Sequence, residues 1–218
     1  MIQLICFRGN NIYLKEYYMK IIGFNASPRK EGNTAWAIDK ILEGAKEQGV
    51  EIEAWHCGDL DIKPCKGCLS CVQGGGCVIN DDMRKLYDAL VEADTLVLGS
   101  PIYMGQMSAQ AKIFTDRLFA HITPRFSPRF KEKNAGKKLV LVFTQGNPDP
   151  GMFKVYIDYT KSMFQLLEFD VKEVQVIAGT RNGPALERKD LHAILKETGS
   201  SLVSAESEKT CKPQTARR

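Results

Sequence analysis

Long apolar runs, histidine and surplus charge are all scarce in this chain. No stretch approaches the roughly 20 consecutive apolar residues that cross a bilayer. The apolar start, MIQLICF, has no basic segment before it and is too short for the core of a secretory signal. The chain is therefore expected in the cytoplasm, away from membranes. Its formal net charge is +4 over 218 residues, part of it in Lys209, Lys212, Arg217 and Arg218, which is no footprint for nucleic acid. The more basic run Arg125–Lys138 reads as a solvated connection before a docking patch for an acidic partner. Histidine occurs three times, at His56, His121 and His192; so scattered a set is assigned to structural or surface positions. Trp36 and Trp55 are read as core or subunit contacts. Neither the Walker pattern nor the three-glycine dinucleotide fingerprint is present.

What is present is ordinary globular composition, 44% hydrophobic and 26% charged, enough for one well-filled domain and short for two. Residues 1–18 look foreign to the rest of the chain and are read as an upstream start or a short extension. From Met19 to residue 204, strand-like and helix-like segments alternate, the pattern of a parallel sheet covered by helices. Strands are expected at Lys20–Asn25, Val50–His56, Thr95–Gly99, Leu139–Thr144 and Val171–Ile177. Helices are expected from Asn33 to near Gly49, after an Asn80 cap, over Ser108–Phe119, and along the apolar face Met152, Val155, Tyr156, Tyr159, Met163, Leu166 and Leu167. A last helix begins at Leu186–Leu195, and residues 205–218 form a polar, basic tail. The predicted fold class is α/β, a doubly wound five-stranded parallel sheet in three α/β/α layers. In such sheets ligands bind at the carboxyl ends of the strands.

The first of those ends reads Ser27-Pro28-Arg29-Lys30-Glu31-Gly32-Asn33-Thr34. It joins a strand to a helix N-terminus, where free amides and the helix dipole favour an anion. Ser27, Asn33 and Thr34 can donate hydrogen bonds, and Arg29 can offer a fork to phosphate oxygens. A plain capped turn is the competing reading. Lacking a nucleotide fingerprint, the loop suits a terminal phosphate monoester such as that of FMN.

Together, GFNASPRKEGNT and GSPIYMGQMSAQAKIFTDR resemble the NAD(P)H-dependent FMN reductase group of flavodoxin-like proteins, over roughly residues 19–180. The resemblance implies FMN, with the ring wrapped by Pro101, Ile102, Tyr103, Met104 and Gly105. A tight surface turn in which Tyr103 merely packs is the alternative. Thr144 and Gly146, at the end of the fourth strand in Thr144-Gln145-Gly146-Asn147, are placed at the ring's polar edge.

The sharpest feature is Cys65-x2-Cys68-x2-Cys71-x5-Cys77, inside the glycine-rich stretch 57–79. Four thiolates at tight spacing suit an iron–sulfur cluster, and Gly74, Gly75 and Gly76 let the chain double back. Structural zinc, which joins two knuckles across a longer gap, and thiol–disulfide chemistry compete. Cys6, Cys57 and Cys211, which complete the odd total of seven, are given no role. With the FMN motifs, the compact cysteine run resembles the iron–sulfur flavoproteins of anaerobic prokaryotes. That resemblance implies one 4Fe–4S cluster and one FMN per subunit, in a homodimer or homotetramer. It also implies an oxidoreductase whose cofactors carry the chemistry without a protein acid or base, from a ferredoxin-type one-electron donor to a small acceptor such as oxygen, peroxide or a quinone. A cluster-free NAD(P)H-dependent FMN or quinone reductase and a non-catalytic electron carrier remain open beside it.

Overall fold

The computed structural model describes residues 2–8, 11–17, 19–73, 76–122 and 136–204, with the backbone alone at 2–8, 11–17, 121, 122 and 204. Expectations for Gly74, Gly75, most of Arg125–Lys138, Cys211 and the tail from 205 fall outside the described residues. So do the side chains of Cys6 and His121. Within the segment read as an extension, β1 (Ile2–Arg8) and β2 (Asn11–Tyr17) pair as an antiparallel hairpin.

Five parallel strands build the main sheet: β3 (Lys20–Asn25), β4 (Glu51–His56), β5 (Thr95–Tyr103), β7 (Lys138–Thr144) and β8 (Asp170–Ile177), in the order β4-β3-β5-β7-β8. The inner strands β5 and β7 are buried along nearly their whole length, whereas the edge strands β4 and β8 are half exposed. That contrast explains why the inner sequences TLVLGSPI and KLVLVFT are continuously apolar rather than alternating. Neighbouring residues on each strand enter opposite layers. Phe24, Leu98 and Phe143 pack with α2 (Met83–Glu92), α3 (Ala109–Ile122) and α4 (Lys154–Leu166). Ile21, Val97 and Val142 pack with α1 (Asn33–Lys46) and α5 (Lys189–Ser204). α1 and α5 touch backbone to backbone. A methyl group on Gly44 would sit 2.0 Å from the Lys196 carbonyl oxygen, and one on Gly199 would sit 1.9 Å from that of Ile41.

Four expectations need correction. β5 does not stop at Gly99 but runs through Pro101, Ile102 and Tyr103, because Ile102 and Tyr103 pair antiparallel with β6 (Gln106–Met107). The turn between them is Met104–Gly105, with φ of 49° and 80°, the backbone of a tight hairpin turn. α2 is not capped by Asn80; Asp82 holds the cap position and the Asp81 carboxylate accepts the Met83 amide at 3.2 Å. The apolar stripe on α4 is not one continuous face: Tyr156 and Leu167 pack against the core, and the rest turns outward. Ile157, Thr160 and Phe164 are buried, while Val155 is 86% exposed and Met152, Tyr159 and Leu166 are exposed with it. The last helix starts at Lys189, and Ala185–Glu187 form a separate 3-10 turn after Pro184. No helix among the described residues is long and apolar enough to cross a membrane.

Candidate functional site

At the end of β3 the chain folds on itself before α1. The Asn25 side chain accepts the Ser27 amide (3.0 Å), and the Ser27 hydroxyl accepts the Arg29 amide (3.1 Å). The Ser27 carbonyl is held from behind by two donors, His56 Nε2 at 3.0 Å and the Cys57 thiol at 3.1 Å. Cys57, which carried no role in the sequence, is thus part of the loop's support. Burial pushes its thiol up to about 11, so it stays protonated and able to donate. α1 begins after Gly32 with no side-chain cap among the described residues. Arg29 is exposed beside the helix start. These features fit an anionic group.

Thr34 and Thr144 are both buried, and their hydroxyls meet at 2.7 Å. That bond ties the loop after β3 to the end of β7, so two motifs far apart in sequence belong to one site. The Thr34 hydroxyl therefore points inward. Asn33 turns its side-chain oxygen to the Ala185 amide at 2.8 Å, leaving its side-chain NH2 for a ligand.

Beside this loop lies a cleft of about 380 Å³. It brings together the predicted Ile102, Met104, Gly105 and Gly146, whereas Ser27, Arg29, Asn33, Thr34, Pro101, Tyr103 and Thr144 lie outside its wall. Met104 is fully exposed at the turn. Sequence reading missed Phe153, Arg181 and Asn182, which complete the wall. Gln145 also lines it: its side-chain NH2 donates to the Asp149 carbonyl (2.6 Å), while its buried Oε1 has no partner. A buried acceptor of that kind suits the ring N–H of a heterocycle such as a flavin. The residues present fit FMN.

The cysteine loop is turned by positive φ at Gly67, Leu69 and Gly76. Cys65, Cys68, Cys71 and Cys77 are free thiols and line a single cavity of about 40 Å³ whose other walls include Leu69, Ile79, Arg117 and Phe119. The Ser70 hydroxyl and amide lower the Cys68 thiol below its ordinary value. Among the described residues, no three His, Cys, Asp or Glu side chains close on a single ion. One tetrahedral zinc needs four donors at one point; a four-iron cluster takes each thiolate at a different corner, so thiols spread around one cavity suit it better.

A buried ion pair holds this loop, and nothing in the sequence pattern announced it. Arg117 on α3 is 1% exposed and grips the Asp81 carboxylate with both terminal nitrogens, at 2.6 and 3.0 Å. Burial pushes the Asp81 carboxyl up, but Arg117 and the Lys63 and Met83 amides outweigh it and hold the group below the usual carboxylate range.

Comparison with known proteins places these features in context. The chain matches the family model "NADPH-dependent FMN reductase" over residues 19–183. Iron-sulfur flavoprotein MJ1083 of Methanocaldococcus jannaschii is 42% identical over 99 residues, which is 45% of this chain and 51% of that protein. An iron-sulfur flavoprotein of Archaeoglobus fulgidus is 35% identical over 131 residues, 60% of this chain and 58% of the relative. The chain thus spans little more than half the length of these curated relatives. Among solved structures, the apo form of an NADH:FMN oxidoreductase (EMOB) superposes with a TM-score of 0.61 at 21% identity, covering 88% of this chain and 91% of that one. At that identity the likeness speaks for the fold alone.

Proposed function

The chain belongs to the NADPH-dependent FMN reductase family, and from that premise we propose that it is an iron–sulfur flavoprotein with oxidoreductase activity. The observation that carries the reading is the gathering of Cys65, Cys68, Cys71 and Cys77 around one cavity, in a domain of this family. The names of the relatives from M. jannaschii and A. fulgidus point the same way.

In this reading the sheet is a doubly wound, flavodoxin-like one, supported by its strand order and by helices on both faces. Ser27, Arg29 and Asn33 hold the FMN phosphate with the amides at the start of α1. Thr34 contributes through its amide and fixes the loop through Thr144. Pro101–Gly105 seat the ring, and Gly146 lets Arg181 reach the cleft, since a side chain there would meet Arg181 at 2.8 Å. His56 and Cys57 pull the Ser27 carbonyl back from the anion. The four cysteines hold a 4Fe–4S cluster. Bound together, the two groups supply a junction between two-electron flavin and one-electron cluster chemistry, suited to a ferredoxin-type donor and a small acceptor such as oxygen, peroxide or a quinone. The functional unit is residues 19–204 with its cluster loop at 57–79, preceded by the 1–18 extension and followed by the 205–218 tail. It works as a homodimer or homotetramer in the cytoplasm, without membrane or nucleic-acid partners.

A second reading, a cluster-free NAD(P)H-dependent FMN or quinone reductase, is favoured by the absence among the described residues of three ligands closing on one ion. An anaerobic absorption spectrum with iron and sulfide assays separates the two. Flavin bands over a broad brown shoulder, with about four irons and four sulfides per chain, are expected. A clean flavin spectrum without iron, from protein never exposed to air, overturns the first reading in favour of the second.

A further inference from the structure

The cysteine loop has a stem. Lys63 precedes its first cysteine and Asp81 follows its last, and the Asp81 carboxylate accepts the Lys63 amide at 2.9 Å. One turn further out, the Asp82 carboxylate accepts the Asp61 amide (2.9 Å) and the Asp61 carbonyl accepts the Asp82 amide (3.1 Å). Arg117 closes this stem from α3. It donates to the Lys63 carbonyl at 2.7 Å while holding both oxygens of Asp81. Its own backbone carbonyl accepts the Tyr87 hydroxyl at 2.7 Å, so α2 and α3 both brace it.

Two further facts distinguish Arg117 from an ordinary structural ion pair. Arg117 lines the cavity shared by the four thiols, and Asp81 does not; of the pair, the cationic residue is the one that borders the cavity. Its Nε is fully enclosed with no hydrogen-bond partner, an uncommon state for a buried charged donor. The other charged residues lining the cavity are Lys66, exposed on the loop, and Asp116, whose carboxylate pairs with Lys112 at 2.5 Å. Arg117 is thus the one enclosed cation among the cavity's described walls.

Resting on the iron–sulfur reading above, we propose that Arg117 is a positioning residue for the cluster site. Through Asp81 and Lys63 it presets the cysteine loop before any metal arrives, and as a fixed cation with a spare N–H it favours the more negative oxidation state of the group bound there. Cluster potentials follow net charge, hydrogen bonds to sulfur and exposure to solvent, and an enclosed guanidinium acts on the first two.

Arg117→Lys tests both parts, because it keeps a positive charge but loses the fork and the Nε donor. In metal-free, anaerobic protein, iodoacetamide labelling of Cys71 and Cys77 is expected to quicken about tenfold or more, the factor one lost charge-assisted hydrogen bond supplies. In iron-loaded protein, an EPR-monitored titration is expected to show a more negative cluster midpoint. Wild-type labelling rates in the variant overturn the presetting role, and an unmoved midpoint overturns the tuning role. If R117K does not fold, D81N/R117Q removes both charges together, leaves no buried charge unpaired, and is read by the same two measurements. Wild-type protein that takes up neither iron nor sulfide refutes the iron–sulfur reading itself, while the labelling result on metal-free protein still decides the presetting role.

Discussion

Replacing Thr34 by valine removes one hydroxyl from a buried pair and keeps nearly the same shape. Thr34 and Thr144 are 2% and 5% exposed, and their oxygens lie 2.7 Å apart. After T34V the Thr144 hydroxyl stays enclosed without its partner, a penalty of about 1–3 kcal/mol. With a urea dependence of about 2 kcal/mol per molar, the unfolding midpoint falls by roughly 0.5–1.5 M. T144V is expected to do the same for the mirror-image reason. The double variant T34V/T144V buries two matched methyl groups and is expected to lie close to wild type, because removing both partners leaves nothing unsatisfied. Urea unfolding followed by circular dichroism completes the cycle. If the double variant loses the sum of the two single losses, the hydroxyls act independently and the reasoning fails. FMN titration adds a second check: the double variant is expected to bind within about threefold of wild type. A loss of about tenfold, equivalent to 1.4 kcal/mol, would mean that the Thr34 hydroxyl reaches the phosphate after all.

Other expectations rest on the same geometry. Asp81→Asn strands the Arg117 guanidinium and is expected to cost about 3 kcal/mol, within the range for a broken buried pair; urea unfolding measures it. Since the folded Asp81 carboxyl is held below its ordinary value, the wild-type advantage over D81N is present above about pH 4 and shrinks as pH falls through the folded value; an advantage constant to pH 2 would refute the pairing. Cys57, raised to about 11, is expected to react with iodoacetamide at pH 8 about a hundredfold more slowly than an ordinary exposed thiol, in proportion to thiolate population. Its protonated form favours the folded state below the ordinary thiol range, and that contribution is lost as pH rises toward 11. Gly199→Ala drives a methyl into the Ile41 carbonyl, and overpacking of about 3 kcal/mol lowers the melting temperature by roughly 6–12 °C.

The parts of the molecule legible in sequence are those written in local pattern. The apolar runs of β3, β5, β7 and β8 and the periodicity of α1 gave their elements to within a few residues. The strand-to-helix loop at Ser27–Thr34 and the spacing of four cysteines pointed to the two regions where the structure gathers polar and thiol groups. What stayed hidden depends on partners distant along the chain. The Met104–Gly105 hairpin needs a methionine at φ 49°, which no propensity suggests. α4 leaves Val155, Tyr159 and Leu166 on the outside, and hydrophobic periodicity reports that a face exists without saying what covers it. Arg117 and Asp81 stand 36 positions apart, and each looks like a surface charge until α3 is laid beside the loop. His56 and Cys57 support the Ser27 carbonyl only because β4 pairs with β3 in register, Asn25 opposite His56.

The N-terminal end of α1 also has a place in time. Asn33 is held by the Ala185 amide, Gly44 by the Ser200 hydroxyl at 3.1 Å and Glu43 by Lys196 at 3.1 Å, and α5 rests directly on Gly44. A growing chain therefore makes the loop's own residues well before the supports at Ala185 and on α5. Contacts of such long sequence separation form only after most of the loop-closure entropy between them has been met. A nascent or truncated chain that ends before residue 185 carries every residue of the 27–34 loop without the scaffold that shapes it. On the proposed function, tight FMN capture requires a chain that already includes α5, and FMN stabilises such chains over shorter ones.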